Sequence, residues 1–292
     1  MSVIVTGASG QLGRLVAETL MERIAAEQLI LVSRNPEALS QFRARGAEVR
    51  YGDFDDPDSL PAAFAGGRRM LLISTDAVGR RVPQHRAALD AAATVGIERV
   101  VFTSHVYPVP QNPTGAVAAE AGETEAILHK SAVPWTVLRF GSFAELQVTP
   151  ASLAVGAGKL VTNFGDGRIN PVSRRDCAEA AVVALTNDGC LGETYDITGP
   201  QALSASDLAD VFSDVAGRPV KVVQMGDKML SWLLSRYGTP KPVARSVTAF
   251  GRAVREGFFD VTDPAFELIT GRPATSLRDV LIPHRGDLVE AA

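Results

Sequence analysis

The strongest constraint on the fold is a glycine-rich turn that directly follows the first apolar run of the chain. The turn reads Thr6-Gly7-Ala8-Ser9-Gly10-Gln11-Leu12-Gly13 and opens a segment of helical period. Each glycine has a physical reason: Gly7 permits a tight turn, Gly10 lets the backbone approach a pyrophosphate, and Gly13 lets the helix pack closely on the strand. The start of the helix then offers free N–H groups to phosphate. The turn therefore predicts a dinucleotide site rather than a bare strand-to-helix connection.

Short runs rich in Val, Ile and Leu alternate with longer segments of helical period through the first half of the chain. We predict strands at residues 3–6, 29–32, 48–51, 70–74, 99–103 and 135–139. We predict helices at residues 11–26, 36–44, 57–64, 83–95 and 118–131. The mostly unalternated apolar character of the strands is typical of a sheet covered by helices on both faces. The pattern predicts an α/β fold, a Rossmann-type doubly wound parallel sheet.

The rhythm changes after residue 139. We predict a helix at 175–186, a strand at 194–197 and helices at 203–216 and 228–237, with Ser204 as an N-cap and Gly217-Arg218-Pro219 as a stop. We expect residues 1–139 to form the dinucleotide-binding Rossmann domain, to which strands from 170–200 can return. Residues 140–292 then form a smaller α/β cap that binds the substrate.

Composition excludes several classes of function. The 292 residues are 46% hydrophobic and 21% charged, which is the composition of a folded protein. The formal net charge is -4 and no dense Lys/Arg run occurs, so we expect no nucleic-acid partner. The apolar runs fall far short of the roughly 20 residues that span a bilayer, so we expect no membrane partner. Without a secretory signal, a disulfide framework or a zinc spacing, the chain is predicted to be cytoplasmic and free of metal.

The end of the second strand indicates which dinucleotide is bound. A protein selective for NAD usually has Asp or Glu there to bond the ribose 2′-OH, whereas this chain has Ser33-Arg34. A guanidinium can pair with a 2′-phosphate, and no carboxylate repels that phosphate. This favours NADP(H), against the alternative that Arg34 is only a solvated loop residue.

Other candidate contacts follow from the position of strand ends, because ligands of open α/β sheets lie outside the carboxyl ends of strands. Asp53 and Phe54 follow the third strand, where a carboxylate and an aromatic face suit adenine. The fourth strand ends at Ser74-Thr75 and the fifth at Thr103-Ser104-His105. The alternative for each polar residue is a helix cap or a turn.

The chain has no Tyr–Lys pair of the kind that donates a proton in mainstream short-chain dehydrogenases. Tyr237 and Lys241 have the right spacing, but a Gly-Thr-Pro segment between them prevents a continuous helix. A quinone-like acceptor tolerates this loss, since its reduced anion is stabilised and water can protonate it. His105 and Tyr107 are the best placed candidates for a proton donor or a substrate hydrogen bond. No Gly-x-Ser-x-Gly elbow of a hydrolase occurs.

The combination of motifs resembles the NmrA-like atypical short-chain dehydrogenases, and within them the branch of type-2 NADPH:quinone oxidoreductases and triphenylmethane reductases. The motifs run in the same order along nearly the whole chain: the glycine turn, Ser33-Arg34-Asn35-Pro36, Gly52-Asp53-Phe54, Leu71-Leu72-Ile73-Ser74, Pro83-Gln84-His85-Arg86, Glu123-Thr124-Glu125, Gly165-Asp166-Gly167-Arg168, Ser173-Arg174-Arg175-Asp176, Thr198-Gly199-Pro200 and Thr270-Gly271-Arg272-Pro273.

The resemblance implies a Rossmann domain that binds NADPH, a small C-terminal domain that closes the pocket, and hydride transfer to a quinone or dye-like acceptor. The cofactor contacts that it implies here are Thr6, Gly7, Ser9, Gly10, Gln11, Leu12, Arg34, Ser74 and Thr75, together with Phe140, Gly141, Ser142 and Phe143 at the start of the segment 140–145.

The chain departs from the branch near the expected acceptor site. Where the branch usually reads Arg-Asn-Gly-Trp-Tyr, this sequence reads Arg139-Phe140-Gly141-Ser142-Phe143, and Ala121 and Ala126 replace a His and a Lys. These changes favour a larger and more apolar acceptor. Two alternatives to a reductase stay open at this stage: an NADP(H)-sensing regulator of NmrA type, and an isomerase that returns the hydride to the same molecule. The oligomeric state is also open, with a homodimer among the possibilities.

Overall fold

The protein is built around one large parallel sheet. The structure, a computed structural model, describes residues 1–290. Its strands are β1 (Val3–Val5), β2 (Leu29–Ser33), β3 (Glu48–Tyr51), β4 (Arg69–Leu72), β5 (Arg99–His105), β6 (Trp135–Phe140), β7 (Lys159–Thr162), β8 (Arg168–Ile169), β9 (Thr194–Ile197), β10 (Leu203–Ser204) and β11 (Lys221–Gln224). The strands of the main sheet lie in the order β3-β2-β1-β4-β5-β6-β9. Its helices are α1 (Gln11–Met21), α2 (Ser40–Arg43), α3 (Leu60–Phe64), α4 (Arg81–Thr94), α5 (Ala116–Lys130), α6 (Val148–Ala157), α7 (Arg174–Thr186), α8 (Ala205–Ala216), α9 (Asp227–Arg236), α10 (Lys241–Arg255), α11 (Ala265–Thr270), α12 (Leu277–Leu281) and α13 (Arg285–Glu290).

Alternate side chains of each central strand enter two separate hydrophobic layers. On β1, Val3 and Val5 pack with α1 and α7 on one face, whereas Ile4 packs with α3 and α4 on the other. All three are fully buried. Burial on both faces explains why these strands read as continuous apolar runs, and it confirms the predicted doubly wound sheet.

The C-terminal half forms a cap with a third apolar cluster of its own. Here β7 pairs in parallel with β11, β8 pairs antiparallel with β10, and α6, α8, α12 and α13 pack around them. The predicted N-cap is confirmed, since the Ser204 hydroxyl accepts from the Asp207 N–H and Asp207 returns a bond to the Ser204 backbone. Gly217 ends α8 in the left-handed conformation, as the predicted stop requires.

The C-terminal half also returns to the main sheet. Strand β9 pairs with β6 at the sheet edge, and α7 packs against α1. The division of the chain at residue 139 stays a prediction. No helix within residues 1–290 is both long enough and apolar enough to cross a membrane.

The predicted elements differ from the structure at several points. Helix α1 ends at Met21 instead of residue 26, because the chain turns after Glu22 and a 3-10 turn over Ala26–Gln28 leads into β2. The helix predicted from 203 begins at Ala205, since Leu203 and Ser204 pair with β8. Helices α6 and α10 were not anticipated. The first is apolar nearly all round, and the second begins at a Lys-Pro step that resembles a loop.

Candidate active site

A cavity of about 290 Å³ lies at the carboxyl ends of β1, β2 and β4 and beside the loop that follows β3. It is lined by Thr6, Gly7, Ser9, Gly10, Val32, Ser33, Arg34, Gly52, Asp53, Phe54, Ile73, Ser74, Thr75, Asp76 and Gln84. The sequence had placed nine of these among the cofactor contacts: Thr6, Gly7, Ser9, Gly10, Arg34, Asp53, Phe54, Ser74 and Thr75. Parallel strands bring these four separate segments to one edge.

The glycine turn leaves no room for side chains. Gly7 has a φ of 58°, and a Cβ on Gly13 would lie 2.4 Å from the Gly7 carbonyl oxygen and 2.7 Å from the Ala8 Cα. Gly10 is the N-cap of α1, and no side chain caps that helix. The first N–H groups of α1 are therefore free to bind an anion at the cavity. Gln11 and Leu12 lie in this first turn, outside the cavity lining.

Two serines connect the glycine turn to the end of β2. The Ser33 hydroxyl donates to Ser9 Oγ at 2.9 Å and accepts from the Asn35 N–H at 2.9 Å. Arg14 adds a second link, because its guanidinium donates to the Ser9 and Ala38 carbonyl oxygens. The Arg34 side chain is exposed at the cavity wall and forms no ion pair with any described residue. A guanidinium held at this position, unneutralised, suits a 2′-phosphate.

Buried side chains fix the backbone that directly follows β4. Thr6 Oγ1 donates to the Leu71 carbonyl oxygen and accepts from the Ile73 N–H, and Thr103 Oγ1 accepts from the Ser74 N–H at 2.9 Å. The Thr75 hydroxyl donates to Gln84 Oε1 at 2.6 Å. Ser74 is thus held at the cavity by its backbone N–H, and Thr75 by its side chain.

His85 holds the same loop from beneath. Its Nε2 accepts from the Thr75 N–H at 3.2 Å. Its Nδ1 lies 2.9 Å from Thr124 Oγ1, a hydroxyl that itself donates to the Glu120 carbonyl oxygen, so Nδ1 carries the proton. Burial lowers the pKa of His85 to about 4, and the charge of Arg81 lowers it too. The imidazole is neutral at pH 7 and holds the loop through its hydrogen bond to the Thr75 N–H.

The second predicted region, around His105 and Tyr107, lies on the other side of the sheet edge under the cap. The His105 ring meets Phe259 edge-on with centroids 5.4 Å apart, and the Tyr107 ring meets Phe258 at 6.0 Å. Tyr107 adopts a φ of 47°, an unusual conformation for a bulky residue and one that concentrates at functional sites. We refer to Phe258 and Phe259, which pack against these two residues, as the aromatic wall.

The protonation of His105 limits what it can do. Its Nδ1 lies 2.6 Å from the Val106 carbonyl oxygen, and since a carbonyl only accepts, Nδ1 carries a proton. Burial lowers the pKa of His105 and the charge of Arg81 lowers it further, although the bond to Val106 opposes them. The neutral ring therefore presents Nε2 as an acceptor. It can receive a hydrogen bond from a bound hydroxyl but is a poor proton donor at neutral pH.

Arg81 supplies a positive charge between the two regions. It begins α4, its Nε is buried without a hydrogen-bond partner among the described residues, and burial lowers the pKa of its guanidinium. Its charge lowers the pKa of both His85 and His105, which places it near each ring. A partly desolvated cation of this kind stabilises negative charge on a bound group.

The structure does not bring all predicted residues to the cavity. Ser104 donates to Glu125 Oε1 at 2.5 Å, and Glu125 is paired with Arg139 through two bonds, so these polar groups are engaged below the site. Phe140 ends β6 and is buried in the core. Gly141, Ser142 and Phe143 follow it outside the cavity lining, and the Phe143 ring lies 4.9 Å from the Arg174 guanidinium carbon.

Some cavity residues were missed by the sequence analysis. Gly52 could have been found by the strand-end rule, since it follows β3, and a Cβ there would lie 2.6 Å from Val32 Cγ1. Gln84 gave no such signal, because it belongs to α4 and only tertiary packing turns that helix toward the cavity. Within the described chain, no group of three or more His, Cys, Asp or Glu side chains is arranged to hold a metal.

The comparisons with known proteins agree with this geometry. A family model described as NAD(P)H-binding matches residues 7–188. The chain is 32% identical to quinone oxidoreductase 2 of Escherichia coli strain K12, over 95% of this chain and 96% of that protein. The crystal structure of an NADPH-dependent quinone oxidoreductase from Escherichia coli, complexed with NADPH, superimposes with a TM-score of 0.91 at 30% identity, covering 97% of this chain and 99% of that one. The Citrobacter sp. triphenylmethane reductase complexed with NADP(H) gives a TM-score of 0.90 at 30% identity, covering 97% and 100%.

Proposed function

The chain belongs to the NAD(P)H-binding family, in its NmrA-like branch, and from that premise we propose that it is an NADPH-dependent reductase of quinone-like or conjugated aromatic acceptors. It is thus an oxidoreductase with NADP(H) as its cofactor. The observation that carries the proposal is the cradle formed by the glycine turn, with the unneutralised Arg34 at its rim. A dinucleotide that carries a 2′-phosphate accounts for both features together.

The residues of the cavity fit each part of the cofactor. The glycine turn and the start of α1 would hold the pyrophosphate, because Gly10 brings no Cβ to the start of the helix and the first N–H groups of α1 are free. Arg34 would pair with the 2′-phosphate. Asp53 and Phe54 would flank the adenine. When bound, NADPH supplies a hydride, and Ser74 and Thr75 at the end of β4 lie on the way toward the acceptor side.

The protein itself contributes position and electrostatics. The acceptor would lie against the aromatic wall of Phe258 and Phe259, where His105 Nε2 can accept a hydrogen bond. The positive charge of Arg81 would stabilise the anion that forms on the acceptor oxygen. Proton delivery is left to water, because helix α9 ends before Tyr237 and helix α10 begins at Lys241, so these two residues do not share a helix.

This arrangement favours acceptors that take up a hydride without needing a proton donor beside them. An ordinary ketone would produce an alkoxide and would need a strong acid beside it. A quinone gives a stabilised anion and a conjugated cationic dye gives a neutral product, so neither needs an acid. Finer points are proposals of the same kind: a cytoplasmic location, in keeping with the free thiols of Cys177 and Cys190, and a homodimer.

The test is a titration with NADPH followed by a panel of quinones, triphenylmethane dyes and simple ketones. Nicotinamide fluorescence reports binding and consumption in one sample. We expect binding with NADPH preferred to NADH, consumption with quinones or dyes, and no consumption with simple ketones. Binding without consumption of NADPH by any acceptor would overturn the reductase and favour a sensor of NADP(H).

A further inference from the structure

Two consecutive helices of the cap carry a concentration of exposed apolar side chains. We refer to residues 227–255, which contain α9 and α10, as the cap hairpin. Its exposed fractions are 55% for Met229, 60% for Trp232, 81% for Tyr237, 49% for Val243 and 43% for Val247. Large apolar groups gathered on a surface in this way mark an interaction site, whereas single exposed ones do not.

The charge of the same segment has one sign. Residues 228–251 contain Lys228, Arg236, Lys241 and Arg245 and no acidic residue, although the whole chain has a net charge of -4. All four side chains are exposed, and none forms an ion pair within residues 1–290. The flanking arginines differ, because Arg252 pairs with Glu256 and Arg255 with Asp227.

On α9 the apolar and basic groups share one face. The exposed residues of this helix are Lys228, Met229, Trp232 and Arg236, and their spacing places them within an arc of about 100°. The opposite side carries Leu230, which is buried in the cap. Tyr237 extends the face beyond the end of the helix. Trp and Tyr beside Lys and Arg are the residues that prefer the boundary between water and lipid.

The inner side of the cap hairpin continues into the aromatic wall. The Phe250 ring of α10 packs against the Phe259 ring with centroids 4.8 Å apart, and Phe259 meets His105 at 5.4 Å. Phe250 also contacts Phe164 at 6.0 Å. The Phe250 ring therefore connects α10 of the cap hairpin to the candidate acceptor site through Phe259.

We propose that the cap hairpin docks on the surface of an anionic lipid bilayer. Lys228 and Arg236 attract anionic headgroups on the same face of α9 from which Met229 and Trp232 enter the headgroup boundary. Tyr237 extends this contact, and the exposed Lys241 and Arg245 add positive charge to the cap hairpin. A two-fold dimer through this face would set cations against cations, so a second copy is a poor occupant. A nucleic acid would leave the aliphatic side chains unburied. We expected no membrane partner because no apolar run of the chain is long enough to span a bilayer, but adsorption to a surface requires no such run.

Docking brings the acceptor site close to lipid. Apolar quinones and aromatic dyes dissolve in bilayers, and the cap hairpin would give them a short path to the aromatic wall. This use of the surface rests on the proposed function. The docking itself does not, and it is measured without NADPH or acceptor.

The experiment is flotation of the full chain with vesicles of phosphatidylcholine alone or with phosphatidylglycerol added. We expect binding only to the anionic vesicles, weakening as salt rises. K228Q/R236Q should reduce the partition coefficient about 25-fold, at about fivefold per cation, and M229S/W232S by tenfold or more. W135F leaves Trp232 as the only tryptophan, and its emission should shift to shorter wavelength on anionic vesicles.

Matched controls lie elsewhere on the surface. L268S removes an apolar group that is 77% exposed on α11, and R45Q removes an exposed cation after α2, and neither should change binding. Equal binding by M229S/W232S, no dependence on anionic lipid, or an unshifted Trp232 emission would overturn the proposal. So would a wild-type dimer that W232S dissociates.

A kinetic experiment tests the use of the surface. With acceptors, M229S/W232S should lose rate on a lipid-dissolved quinone and keep its rate on a water-soluble one. If the wild type reduced neither quinone, the proposed reductase activity would be contradicted instead.

Discussion

The two ends of the carboxyl edge of the sheet differ in the type of residue and contact that forms them. At β1, β2 and β4 the cavity is held by backbone hydrogen bonds and by short polar side chains such as Thr6, Ser9 and Ser33. At the end of β5, under the cap, the contacts are instead between aromatic rings, with Phe258 against Tyr107 and Phe259 against His105. The first region depends on fixed geometry and the second on apolar area.

This difference separates two tasks. A cofactor of constant shape is best held by backbone groups, which no side-chain change can remove. An acceptor that varies is best held by rings, since apolar contact is non-directional and tolerates substitution. We therefore expect changes at the cofactor end to be severe and specific, and changes at the acceptor end to be mild.

The largest effect is expected from G13A. The new Cβ would lie 2.4 Å from a backbone oxygen that cannot move without opening the turn. The free energy of unfolding should fall by about 3 kcal/mol or more, and NADPH affinity by about 100-fold. Thermal denaturation and fluorescence titration measure the two quantities. G286A, where nothing lies within 4 Å of the new Cβ, is the control and should change neither. An unperturbed G13A would remove the steric basis of the cradle.

The next effect concerns pH. His85 has a folded pKa of about 4, below the 6.5 of the unfolded chain, so the unfolded state binds more protons between these values. Its contribution to stability is present above pH 6.5 and is lost as pH falls toward 4, at a cost of about 3 kcal/mol. Urea unfolding at pH 7 and pH 4 measures the loss, which H85Q should reduce. H129Q, at an exposed histidine, should keep the wild-type loss; an equal reduction there would contradict the assignment.

The cofactor end could be predicted because its residues are consecutive in the sequence or follow strands directly. The glycine turn, Arg34 and Ser74 needed only the rule that parallel strands end at one edge. Gln84 and Arg81 could not be found this way, because they reach the site only through the packing of α4. The aromatic wall was even harder to predict from the sequence. Phe258 and Tyr107 are about 150 residues apart, and no local period relates them.

The nucleotide specificity of the cofactor end is tested by R34A. Loss of a charge-assisted pair should weaken NADPH binding by about 10- to 100-fold and leave NADH binding unchanged. The Michaelis constant for a quinone at saturating NADPH should stay the same, since the acceptor lies at the other end. Fluorescence titration with both nucleotides measures this. R45A, at another exposed arginine, is the control, and equal weakening of both nucleotides by R34A would refute the 2′-phosphate assignment.

The smallest effect is expected at the acceptor end, from F258L, with F54L at the cofactor end as its counterpart. F258L keeps apolar volume but loses the edge-on contact with Tyr107, a contact worth about 1 kcal/mol. The Michaelis constant for an aromatic acceptor should rise about fivefold with NADPH affinity unchanged. F54L, at the cavity wall, should instead weaken NADPH binding and leave the Michaelis constant for the acceptor unchanged. Steady-state kinetics at saturating and limiting NADPH separate the two constants. If F258L weakened NADPH binding as much as acceptor binding, the two ends would be one coupled site, and their separation into a rigid and an adaptable region would fail.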